Sequence, residues 1–146
     1  MTPRAIVLDA NILLRAVLGS RVPRLLADFA REVTFLTPDV ALDEVREHLP
    51  AILGKRGEAA QLRGALAKLA ALQGVVQVVG HAEYAVMKRA ALARVGPRDP
   101  DDWPIMACAL LLDCPIWTED RDFFGTGVAT WTTTLVEQYF ANPGPD

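Results

Sequence analysis

Asp9, Glu44, Asp102 and Asp120 stand far apart in the chain, yet each falls where a regular element starts or stops. Asp9 follows the apolar run Arg4 to Leu8 (RAIVL) and precedes a helical pattern. Glu44 lies in the first turns of a helix opened by Thr37-Pro38, beside Val45 of its apolar stripe. Asp102 belongs to the trio Asp99, Asp101 and Asp102 ahead of a strongly apolar helix, and Asp120 to the trio Glu119, Asp120 and Asp122 just past Trp117 and Thr118. Taken singly, such acids cap helices and shape turns. Taken together they point to a ligand site, because parallel sheets bind ligands beyond the carboxyl ends of their strands.

Magnitude decides what convergence would mean. Two carboxylates ~4 Å apart repel by about 4 kcal/mol at an effective dielectric of about 20, a large part of a domain's stability. Four acids gathered at one edge therefore take up protons or enclose a hard divalent cation. Oxygen donors without histidine or thiolate suit Mg²⁺ or Mn²⁺. Such an ion acidifies water and neutralises charge on a phosphoryl oxygen, which is the chemistry of phosphodiester hydrolysis. Neighbouring acids leave alternatives open: Asp99 and Asp101 beside Asp102, Asp43 and Glu47 beside Glu44, and Asp122 beside Asp120. Helix phase favours Glu44, since Asp43 and Glu47 share a face turned further from the stripe of Ala41, Leu42, Val45 and Leu49.

A polyanion approaching such a pocket needs positive surface nearby. The net charge is −3, but Gly54 to Arg98 holds eight basic residues against Glu58 and Glu83, a local balance of +6 that leaves −9 for the remainder. Lys55, Arg56, Arg63, Lys88, Arg89 and Arg94 are the candidates for holding a nucleic-acid backbone; taken alone, each also reads as part of a solvated helix face. No aromatic-rich stacking platform is apparent. Trp103, Trp117 and Trp131 read as core or interface residues.

The elements that must position these groups alternate. Strands are expected at Arg4 to Leu8, Val33 to Leu36, Val75 to Val79 and Pro115 to Thr118, with a fifth at Val128 to Trp131. Helices are expected from Ile12 to Gly19, after a turn and cap at Asp9-Ala10-Asn11, and over Val22 to Arg31, Thr37 to Pro50, Glu58 to Leu72, Ala82 to Val95, Asp102 to Leu112 and Thr132 to Phe140, with Asp101 or Asp102 capping the sixth and Pro50 ending or kinking the third. This order argues an α/β fold: a parallel β-sheet of four to five strands flanked by helices on both faces. Residues 1–140 form one domain and 141–146 a flexible tail. Leu14, Val17, Leu18, Leu25 and Leu26 suit a homodimer seam or a core.

Other classes are excluded or weakened. At 146 residues, 51% hydrophobic and 23% charged, the chain is one folding domain and not a disordered segment. Cys108, Cys114, His48 and His81 fit no zinc spacing, and Cys108 reads as a small core residue without a disulfide. No apolar run spans a bilayer and no export signal opens the chain, so a cytoplasmic protein without a membrane partner is expected. A phosphoacceptor domain of the receiver type usually pairs acids near its first strand and keeps a late lysine; here Asp9 stands alone and the last lysine is Lys88.

With these residues placed, the chain resembles the PIN-domain nucleases, and among them the single-domain VapC-type toxins of bacterial toxin–antitoxin pairs. The resemblance rests on IVLDANIL at 6–13, TPDVALDEV at 37–45, DPDDWPIMACAL at 99–110 and IWTEDRDF at 116–123. It implies a PIN-like sheet and a metal-dependent endoribonuclease that cuts RNA with Mg²⁺ or Mn²⁺. Asp9, Glu44, Asp102 and Asp120 fall on the family's four acids, and Asn11 and Thr118 on polar positions that support them. Trp103-Pro104 departs from the small residues usual after the third acid. An antitoxin protein is the partner it implies. The competing reading from another class is a catalytically silent PIN-like module that binds RNA or protein without cutting.

Overall fold

The computed structural model describes residues 4–141. In chain order the elements are β1 (Arg4–Leu8), α1 (Ala10–Leu18), α2 (Arg21–Asp28), β2 (Val33–Pro38), α3 (Asp39–Lys55), α4 (Leu62–Ala71), β3 (Val76–Val79), α5 (His81–Tyr84), α6 (Lys88–Val95), α7 (Trp103–Leu112), β4 (Ile116–Trp117), β5 (Thr130–Trp131) and α8 (Val136–Ala141). The five strands form one sheet in the order β3-β2-β1-β4-β5, and every pairing is parallel. The expected α/β architecture is therefore present, with both short edge strands included.

Successive residues of a strand point to opposite faces. Ile6, Val7 and Leu8 are all fully buried, so both faces of the sheet are covered at β1. On α7, six consecutive residues from Pro104 to Ala109 are buried. A helix apolar on every side must be enclosed, and α7 packs on β1 and β2 and against α6. Helix α1 packs against α2, α3 and α4. Val17, Leu25 and Leu26 are buried within the single chain, so these members of the suggested seam belong to the core. Cys108 is likewise a core residue, and both cysteines are free thiols.

Pro50 does not end its helix: α3 runs on to Lys55. The prolyl ring lies on the exposed side, while Leu49 and Leu53 are fully buried and hold the flanking turns on the core. The helix expected over Ala82 to Val95 is instead two, α5 and α6, joined by a 3-10 turn at Ala85–Met87. The closing helix starts at Val136, later than expected, and ends at Ala141. The tail expected from 141 thus loses its first residue to α8, and its other residues lie outside those described.

Chain order and sheet order together locate the ligand-binding edge. From β1 the chain builds outward through β2 to β3, then returns to add β4 on the other side of β1. The strand order reverses between β1 and β4, and the carboxyl ends of those two strands flank the crevice that such a reversal opens. Asp9 follows β1, and Thr118 to Asp120 follow β4. Among the described residues no helix is long and apolar enough to cross a membrane.

Candidate metal centre

Asp9 is the N-cap of α1: its Oδ1 accepts the Ile12 N–H at 2.9 Å, as the break from strand to helix requires. Its Oδ2 accepts the Thr118 hydroxyl, which reaches across from the end of β4. Burial pushes the Asp9 carboxyl up to about 6, against the lowering pull of the Thr118 and Ile12 hydrogen bonds and with Asp120 and Glu119 adding repulsion. The Thr118 Oγ1 also accepts the Asp120 N–H at 2.9 Å, and Asp120 Oδ1 accepts the Asp122 N–H at 2.9 Å. A relay of short-range bonds thus fixes Asp9, Thr118 and the 120–122 turn as one unit.

Asp102 enters from the other side, at the N-terminus of α7. Asp99 caps the preceding 3-10 turn through the Asp101 N–H at 3.0 Å, which commits Asp99 Oδ1 and leaves Asp101 exposed. Asp102 makes no capping bond, and its Oδ2 is buried without a hydrogen-bond partner. A lone pair withdrawn from water and left unpaired is costly. Burial first, then the charges of Asp99, Asp120, Asp9 and Asp122, push the Asp102 carboxyl up to about 7. Oxygen atoms of Asp99, Asp102 and Asp122 lie within 4.8 Å of one another. Of the three acids left open at this motif, Asp102 carries the unsatisfied oxygen.

One cleft of about 1000 Å³ is lined by Asp9, Glu44, Asp102 and Asp120 together, with Asn11 and Asp99 among its walls. Glu44 is exposed, on the α3 side. Helix phase does not separate it from its rivals, since Asp43 and Glu47 line the same cleft. Partners set Asp43 apart, tied to Arg46 at 2.9 Å, but not Glu47: among the described residues no hydrogen bond or ion pair engages either Glu44 or Glu47. Asn11 Oδ1 accepts from Arg15 Nε at 3.1 Å rather than bonding an acid. Asp122 is held in the turn after Asp120 and faces Asp102 and Asp99 rather than Asp9.

The basic residues divide. Ile52 of α3 lines the cleft, which places Lys55, the last residue of α3, and its C-cap Arg56 about one helical turn further on, both exposed. Arg63 is exposed on α4, and Lys88 and Arg89 open α6, with Lys88 Nζ 4.9 Å over the Trp103 ring. Arg94 donates to the Thr126 carbonyl at 2.8 Å and lines a separate cleft with Gly127 and Cys114. It braces the loop after Asp122.

Glu119, His81 and Tyr84 of the cleft, and Asp39 behind it, were not among the site residues read from the sequence. Glu119 accepts the Thr133 N–H at 2.7 Å and faces Arg15 at 3.9 Å. Asp39 receives the Tyr84 hydroxyl at 2.7 Å and the His81 N–H at 3.2 Å, joining the start of α3 to α5. No local signal pairs residues so distant; the excess of acids at 119–122 was the one visible hint for Glu119.

Solved structures share this architecture. VapBC2 from Rickettsia felis, a complex bound to a promoter DNA fragment, superposes with TM-score 0.67 at 12% identity, covering 88% of this chain and 98% of that one. VapBC-1 from nontypeable Haemophilus influenzae gives TM-score 0.60 at 16% identity over 89% and 98%. A toxin-antitoxin complex from Klebsiella pneumoniae gives 0.57 at 18% over 88% and 97%. At these identities the likeness is one of fold. No curated protein sequence matches the chain. The PIN domain model matches residues 7–141, from within β1 to the end of α8, and the chain therefore belongs to the PIN-domain family.

Proposed function

We propose that the protein is a divalent-metal-dependent endoribonuclease acting as the toxin of a toxin–antitoxin pair. The observation that carries the reading is the buried, unpartnered Oδ2 of Asp102, facing the charges of Asp99, Asp120, Asp9 and Asp122. An oxygen donor left bare among other oxygen donors fits a hard cation such as Mg²⁺ or Mn²⁺. Asp9, Glu44, Asp102 and Asp120 would hold it, directly or through water. When bound, such an ion supplies Lewis acidity toward a phosphoryl oxygen and acidifies water for hydrolysis.

The chain's own groups do the remaining work. Thr118 orients Asp9 and fixes the Asp120 backbone, so that two acids from different strands keep one spacing. A proton on Asp102 Oδ2, favoured up to about pH 7, is what a cation competes with. Lys55, Arg56, Arg63, Lys88 and Arg89, all exposed, would hold the RNA backbone. One solved neighbour is a toxin–antitoxin complex and two others are VapBC proteins, which supports an antitoxin as the partner; action in the cytoplasm belongs to the same reading. A homodimer belongs to the same reading and would use surfaces other than the buried Val17, Leu25 and Leu26.

The test is cleavage of single-stranded RNA by purified protein with Mg²⁺ or Mn²⁺. Cutting should vanish with EDTA and fall roughly a hundredfold or more in Asp9→Asn. Cutting that survives both treatments would overturn the reading.

A further inference from the structure

The acid-lined cleft has a second wall built from aromatic rings. His81, Tyr84 and Trp103 line it together with Asp9 and Asp102. Tyr84 is fully buried and bonded to Asp39, so it is framework. Asp39 also receives the His81 N–H, which fixes the start of α5 at the cleft. The His81 ring stands edge-on to Tyr84 at 5.3 Å and 70°, and to Trp103 at 5.9 Å and 84°. Trp103 packs on Tyr84 at 5.5 Å, and Lys88 Nζ lies 4.9 Å over its ring.

Core packing accounts for Tyr84 but not for its neighbours. His81 and Lys88 are exposed and Trp103 is half-buried. Among the described residues neither the His81 ring nor the Lys88 ammonium takes part in a hydrogen bond or ion pair. Trp103 directly follows Asp102, the acid with the bare oxygen. An aromatic surface with the His81 ring unbonded and the Lys88 cation resting on Trp103 suits a ligand that is aromatic and carries negative charge on the lysine side, away from the acids. Single-stranded RNA is such a ligand: its unstacked bases lie on aromatic side chains while lysine holds the backbone.

We infer that His81, Trp103 and Lys88 form a stacking subsite for one nucleobase of single-stranded RNA, next to the phosphate that the acids address. The inference rests on the nuclease reading for the position of the scissile bond, while capture of the base does not depend on cleavage. Stacking accepts every base, so the subsite selects unpaired strands rather than a sequence.

Tryptophan fluorescence reports it directly, because Trp103 alone of the three tryptophans lines the cleft; Trp117 is fully buried and Trp131 stacks on Tyr139. The full chain carrying Asp9→Asn is titrated with a short single-stranded RNA in Mg²⁺. Quenching is expected, and Trp103→Phe, which keeps an aromatic ring against Tyr84, should remove it. His81→Ala, at an exposed position, and Lys88→Ala should each weaken binding about five- to tenfold. An abasic nucleotide at a single position should abolish the His81→Ala penalty, and abasic nucleotides elsewhere should leave it intact.

Quenching that persists in Trp103→Phe, a penalty indifferent to abasic position, or equal binding of duplex RNA would each overturn the subsite. The two readings fail separately. Position-specific coupling with no cleavage by the unmodified chain supports the subsite and removes the nuclease, whereas cleavage with no coupling does the reverse.

Discussion

The Thr118 hydroxyl donates to Asp9 Oδ2 across the junction of β1 and β4. The Thr118 Oγ1 in turn accepts the Asp120 N–H, so one buried hydroxyl, donating once and accepting once, holds two acids in register. Thr118→Val keeps the shape and removes both bonds. It should cost about 1–3 kcal/mol in chemical denaturation, because a buried carboxylate and a peptide N–H lose a partner. It should also raise the Asp9 pKa above about 6, since the lost bond is one that lowers it. Thr118→Ser, which restores the hydroxyl, should recover most of the stability.

Both perturbed acids make metal-free stability depend on pH with a definite sign. Asp9 and Asp102 titrate near 3.8 unfolded but at about 6 and about 7 when folded. Between these values the folded chain binds more protons than the unfolded one, so stability falls as pH rises. Thermal unfolding in EDTA should show the highest Tm near pH 4 and a decline through pH 7. Asp102→Asn should flatten the upper half of that decline, and saturating Mn²⁺ should reverse it at neutral pH. A Tm that climbs from pH 4 to 7 without metal would contradict the assignment.

The turn carrying Asp122 is held from outside the cleft. Arg94 donates to the Thr126 carbonyl, Arg98 to the Asp122 carbonyl at 3.1 Å, and Thr126 to the Phe123 carbonyl at 2.6 Å. Gly127 sits at φ +87°, and a Cβ there would fall 2.5 Å from the Arg94 guanidinium. Gly127→Ala should therefore cost about 1–3 kcal/mol through backbone strain alone. Hydrogen exchange in Arg94→Ala should quicken across residues 121–128 while the amides of β1 and β2 stay protected.

Much of this was legible in the sequence because it depends on short-range pattern. The apolar run ending at Asp9 predicts a buried strand, and the doubly covered β1 is one. The acids at 99–102 and 119–122 read as caps, and Asp99 and Asp120 do cap 3-10 turns, whereas at the start of α7, where Asp101 or Asp102 is the expected cap, neither side chain makes a capping bond. What pattern does not carry is pairing at a distance. Pro50 reads locally as a stop or a kink, yet the helix does not stop there, and Leu49 and Leu53 hold it through the proline. Tyr84 reads as part of one long helix, yet its bond to Asp39 ties α5 to α3, and the chain turns before α6. Arg94 reads as free positive surface, yet its guanidinium is taken by a carbonyl 32 positions away. Trp103 reads as core or interface, and only the placement of α5 beside α7 shows that it faces the cleft.

Titration calorimetry of Mn²⁺ into the metal-free protein at pH 7.5 addresses the central claim most directly, with Asp102→Asn measured alongside. The account predicts saturable binding by the unmodified chain and a loss of affinity of tenfold or more in the variant, because the bare oxygen of Asp102 is the donor that the surrounding acids cannot replace. Equal affinity in the two proteins, or no saturable binding in either, would contradict it.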